Sequence, residues 1–155
     1  MSKCWPRWID SKVADSASAY SPIGCATART ATGSLIDAGL ADSLSISKLL
    51  YRAEEWATEG RALPRGTVVV VDEANVTSTF DLEALRRLAQ ECEGKLVMIG
   101  DPRQIGAIGP GGLYVHLPRV LEPITLTTIR RQHDELDREI VTLVHEGRGS
   151  EALDL

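Results

Sequence analysis

One run of five residues constrains this chain more than any other feature. Thr67-Val-Val-Val-Val71 is β-branched throughout, with no polar alternation, and such a run suits a strand covered on both faces in a parallel α/β sheet. It ends abruptly at Asp72-Glu73, which puts two carboxylates at the carboxyl end of a buried strand. Leu82, Leu85, Leu88, Ala89 and Cys92 follow at helical spacing up to Gly94, and Lys95-Leu-Val-Met-Ile99 then reads as a second buried strand ending at Gly100-Asp101. Strand, helix and strand over about 30 residues predict one right-handed βαβ unit.

The flanks extend this pattern. Tyr20 to Gly24 reads as a short strand, and the small-residue run from Ala26 to Ala38 as a helix stopped by Gly39. Ser45 is placed to cap a helix whose apolar positions Ile46, Leu49, Leu50, Ala53 and Trp56 share one face. Gly60 to Gly66, with Pro64, breaks the chain. Beyond the second strand lies a glycine-rich loop (Gly106 to Gly112), then Ile124 to Leu126 as a third strand. A last helix follows, with Leu136, Ile140, Leu143 and Val144 on one face and Gly147 as its stop. Residues 1–19 mix Trp5, Pro6 and Trp8 with a Ser/Ala-rich stretch and have no clear period, so an irregular N-terminal segment is expected there.

Composition excludes several classes. Of 155 residues, 43% are hydrophobic and 25% charged, the balance of a globular domain and not of a disordered or fibrous chain. The net charge of −5 has the wrong sign for holding nucleic acid by bulk electrostatics, so any polynucleotide contact must be local. The sequence contains neither a membrane-length apolar run nor a signal-like start, and a cytoplasmic protein is expected. Cys4, Cys25 and Cys92 are odd in number and widely spaced, which suits reduced thiols. His116, His133 and His145 fit no metal-ligand spacing.

In open α/β sheets, ligands bind outside the carboxyl ends of the strands, so Asp72-Glu73 and Asp101 should face one crevice. A carboxylate there can orient Mg²⁺ on a bound nucleotide, and its neighbour can polarise water; equally, Asp72 can cap the following turn while Glu73 stays solvated. Gln104, two residues past Pro102, can sense a terminal phosphate or belong to a type I turn. Pro110-Gly-Gly112 can form a flexible element or a plain turn.

Taken together, Val68-Val-Val-Val-Asp-Glu-Ala74, Val97-Met-Ile-Gly-Asp-Pro-Arg-Gln-Ile105 and Gly109-Pro-Gly-Gly112 resemble the second and third motifs of superfamily 1 DNA helicases. The closest resemblance is to the RecD-like motor of conjugative relaxase-helicases of the TraA/TraI type. Ile23-Gly-Cys-Ala-Thr-Ala-Arg-Thr-Ala31 resembles the first single-strand-DNA contact region, and Leu126-Thr-Thr-Ile-Arg-Arg-Gln132 the fourth motif. The run from Leu136 to Leu153 resembles the helix leading towards a second RecA-like domain. The resemblance implies an α/β, RecA-like P-loop NTPase domain over residues 20–155, with a mostly parallel sheet flanked by helices. It implies Mg²⁺ and ATP as cofactors: Asp72 on the metal, Glu73 activating water, Gln104 sensing the γ-phosphate and Arg131 stabilising its charge. Asp101 would stand beside the nucleotide, while Thr27, Gly111 and Gly112 would lie near single-stranded DNA. Outside that resemblance, Arg131 also reads as half of a solvated Arg130-Arg131 pair beside the acidic segment from Asp134 to Glu139.

One family element is absent from the sequence. No Gly-x-x-x-x-Gly-Lys-Ser/Thr occurs, the loop whose backbone N–H groups cradle phosphates and whose lysine reaches them. The chain is therefore expected to be a truncated first domain lacking its first strand and to bind nucleotide weakly, with no useful hydrolysis alone. The absent strand should leave an exposed sheet edge beside Leu96 to Ile99, open to a homodimer or to the missing helicase portion. The alternative is a non-catalytic interaction module pairing through that edge.

Overall fold

The computed structural model describes residues 22–107, 109–126 and 134–154. Residues 1–19, with Cys4, Trp5 and Trp8, lie outside the described residues, as do His133 and, of the fourth-motif segment, residues 127–132 with Arg130 and Arg131. The chain falls into two compact units that divide between Leu121 and Glu122.

The first unit is built on four parallel strands: β1 (Pro22–Ala26), β2 (Ser43–Ser45), β3 (Val68–Asp72) and β4 (Lys95–Met98), in the order β2-β1-β3-β4. The helices are α1 (Arg29–Asp37), α2 (Ile46–Thr58) and α3 (Thr79–Glu91), with a 3-10 turn at Ala74–Val76 and a single helical turn, α4 (Leu113–His116). The valine run is covered on both sides, as its composition predicts. Val69 and Val71 join Ile23, Cys25, Leu49, Leu82 and Leu85 under α2 and α3, while Val70 packs with Ala26, Leu35 and Leu40 under α1. The chain order β3-α3-β4 with parallel pairing is the expected βαβ unit.

Local signals place the helices. Ser45 caps α2 by accepting the Lys48 N–H, and Ser78 caps α3 by accepting that of Asp81; each satisfies a donor the helix leaves orphaned. β1 runs on to Ala26, two residues past the Tyr20 to Gly24 expectation, of which Tyr20 and Ser21 lie outside the described residues, and β2 is a three-residue strand that no run of apolar residues announces. Its pairing with β1, Gly24 to Ser43 through Ala26 to Ser45, makes it a strand.

One expected element does not form. Residues 122–126 carry no strand, and Ile124 and Leu126 are 81% and 85% exposed. β-branched composition is a preference for a half-buried pleated surface, and this segment has no such surface among the described residues. The second unit contains α5 (Glu135–His145), capped by the Asp134 side chain on the Leu136 N–H, and a last helical turn, α6 (Gly149–Ala152). Gly147, at φ +77°, stops α5 as its position predicts.

Candidate functional site at the carboxyl edge of the sheet

Parallel pairing brings the strand ends together. The β1–β3 register sets Ala26 opposite Asp72, and the β3–β4 register sets Val71 opposite Met98, so Thr27, Asp72-Glu73 and Gly100-Asp101 all leave the same edge. The ladder continues past β3: the Ile99 N–H donates to Val71 at 2.8 Å, and the Ala74 N–H donates to Ile99 at 2.7 Å.

Asp72 is the last residue of β3, and its Oδ1 accepts the Glu73 N–H at 3.0 Å. Glu73 is exposed and sits in the left-handed region, at φ 53° and ψ 45°. A non-glycine residue pays for that conformation, and here the turn throws its carboxylate out from the strand end into solvent. Asp101 is partly buried and organises its own loop: its Oδ1 accepts the Arg103 N–H at 2.9 Å, its carbonyl accepts the Gln104 N–H, and its Oδ2 accepts the Gln104 side-chain amide at 3.4 Å. Gln104 is therefore exposed and tied to Asp101, within the turn that Pro102 predicts. Tyr114 donates to the Gly100 carbonyl at 2.9 Å, and its hydroxyl pKa is raised by burial and by the charge of Asp101.

Thr27 is exposed at the end of β1, and its hydroxyl lies 3.2 Å from that of Thr77, which in turn lies 3.5 Å from the Glu73 carbonyl. Gly111 and Gly112 are exposed at the start of α4. Gly112 takes φ +97°, and a Cβ on Gly111 would lie 2.7 Å from that of Ala107. The structure thus gathers Asp72, Glu73, Asp101, Gln104 and Thr27 at one edge, while Arg131 lies outside the described residues. Sequence reasoning missed Asn75 and Thr77, which tie this edge together; their signal is the two short polar residues on either side of Val76, directly after Asp72-Glu73-Ala74.

Among the described residues no three His, Cys, Asp or Glu side chains group to hold a metal. A strand-end carboxylate such as Asp72 fits Mg²⁺ of the kind carried by phosphate and water, for which one or two carboxylates suffice. It does not fit a protein-caged ion. The two described cysteines, Cys25 and Cys92, are free and buried, as expected of structural thiols. Cavities of about 500 Å³ beside Thr32, Ser43, Ser45 and Lys48, and about 90 Å³ beside Trp56 and Cys92, are not lined by Asp72, Glu73 or Asp101. Among the described residues no helix is long and apolar enough to cross a membrane.

An all-parallel sheet flanked by helices, with acidic strand ends and a polar loop after β4, is the architecture of a partial RecA-like P-loop domain. The AAA domain family model matches residues 11–155, and the chain belongs to that family as a helicase-type domain. It is also 30% identical, over 120 residues, to a probable conjugal transfer protein TraA from Sinorhizobium fredii; the match covers 77% of this chain and 10% of that protein.

Proposed function

We propose that this edge is the phosphate-sensing side of a DNA-helicase motor of the conjugal-transfer type, working in the cytoplasm. The observation that carries it is the shared edge, where β3 ends in Asp72-Glu73 and the adjacent parallel β4 leads into Asp101 and Gln104. Asp72 would hold Mg²⁺ together with nucleotide phosphate. Glu73, lifted from the strand by its left-handed turn, is free to polarise a water, and Gln104 is on a loop that can report a terminal phosphate. Arg131 would supply positive charge. Thr27, Gly111 and Gly112 would follow single-stranded DNA past the same edge.

The cradle for a polyphosphate is not written in these 155 residues. Carboxylates without a lysine and backbone N–H nest repel ATP unless Mg²⁺ intervenes. The chain alone is therefore proposed to bind Mg-ATP weakly and not to turn it over. The test is Mg-ATP binding and turnover by the purified chain, with and without single-stranded DNA, beside Glu73→Gln. Turnover abolished by Glu73→Gln would mean that the chain is a complete ATPase. Absence of turnover, with hydrolysis restored by a polypeptide supplying a phosphate loop, supports a motor site shared with other sequence.

A second reading, as an interaction module, has one observation in its favour: among the described residues β4 pairs with β3 alone. An unpaired parallel edge accepts a further strand. Sedimentation equilibrium giving a dimer that Leu96→Pro abolishes, a change at an N–H facing away from β3, would support it, and a monomer at all concentrations would remove it.

A further inference from the structure

Asn75 is 4% exposed, and its Oδ1 is buried without a hydrogen-bond partner. Its Nδ2 donates to the Ile105 carbonyl at 3.2 Å, across 30 residues of sequence. A buried amide with half its capacity unspent is costly, and an apolar residue would fill the same space without that cost. The loop after β4 meets the Ala74–Thr79 segment at three points: Ala74 N–H to Ile99 carbonyl, Asn75 Nδ2 to Ile105 carbonyl, and Thr79 N–H to Pro110 carbonyl. The first and last are backbone pairs at the loop's two ends. The middle one is made by a side chain and falls next to Gln104. Gly100 makes the approach possible, since a Cβ there would lie 2.6 Å from Asn75 Oδ1.

From this geometry we infer that Asn75 is a positioning residue: its side-chain amide latches residues 101–107 onto the turn that carries Asp72 and Glu73, and so sets where Asp101 and Gln104 stand. The inference deepens the proposed function and rests on Asp101 and Gln104 acting beside Asp72 and Glu73. Asn75→Ala removes the latch. Asn75→Asp keeps its shape but turns an acceptor towards the Ile105 carbonyl, which repels it.

The test is backbone ¹⁵N relaxation on the whole chain, which needs neither nucleotide nor metal and so stands apart from the hydrolysis experiment. In the wild type the amides of Arg103 to Ala107 should be as ordered as those of β3, with order parameters above about 0.8, and both Asn75 variants should take them below about 0.6. Thr77→Val, an equally buried change on the same segment with a different partner, should leave them unaltered. Loop order unchanged in both Asn75 variants, or lost equally in Thr77→Val, overturns the latch. Should the Asn75 variants fail to fold, the wild type still decides: a through-hydrogen-bond coupling between Asn75 Nδ2 and the Ile105 carbonyl carbon supports the latch, and side-chain amide protons exchanging at the rate of a free amide overturn it.

Discussion

At the scale of single residues, the site depends on close approach and on burial. Gly100 allows the β4 exit to lie against Ala74 and Asn75, with an added Cβ 2.6 Å from Asn75 Oδ1 and 3.1 Å from both backbone nitrogens. Gly100→Ala should therefore act as overpacking against backbone, costing about 1–3 kcal/mol in denaturant unfolding. Cys25 offers a pH-dependent check. It is fully buried, and burial pushes its thiol from 9.0 up to about 12. A folded-state pKa raised above the unfolded value contributes stability that is whole below the unfolded pKa and is lost as pH rises towards the folded one. Denaturation midpoints should fall between pH 9.0 and about 12, and Cys25→Ala should remove that part of the fall. The place of Asp72 and Glu73 at a strand end was legible from the sequence because the β-branched run stops there. Asn75 was not, since its role depends on Ile105, which is 30 residues away.

At the scale of elements, pattern and caps carried most of the information. The α3 helix has Leu82, Leu85 and Ala89 buried on the face against the sheet and Ser78 as its cap. Ser78→Ala should cost about 1 kcal/mol, read from urea midpoints. On the solvent face, the Glu83 carboxylate accepts from Arg86 and Arg87, and these bonds lower its pKa to about 2. A depressed carboxylate pKa contributes stability that is present above the ordinary value and lost as pH falls through the folded one. The unfolding midpoint should therefore fall between about pH 4.5 and 2, less steeply in Glu83→Gln. The effect is small because the group is fully exposed. Elements without a period of their own escaped notice: β2 is made by its register with β1, and Ile124 to Leu126, strand-like in composition, is not a strand.

At the scale of the whole molecule, the four-stranded sheet is the common wall of two apolar layers, one holding Leu49 and Leu85, the other Leu35 and Leu40. Leu49→Ala and Leu35→Ala should each remove about 2–5 kcal/mol from one shared unfolding transition, and their effects should add because they lie on opposite faces. Two separate transitions in calorimetry would show that the layers are independent. The sequence by itself determined the parallel α/β class and the place of the carboxylates, because periodicity and β-branched runs are local properties that burial on two faces demands. Family membership was legible for a similar reason, since ordered motifs keep their spacing along the chain. Only the tertiary structure decided which strands are neighbours, that Glu73 takes a left-handed turn, and that Asn75 reaches the loop of Gln104. Those facts follow from pairing register and close approach between distant segments, and no local propensity records them.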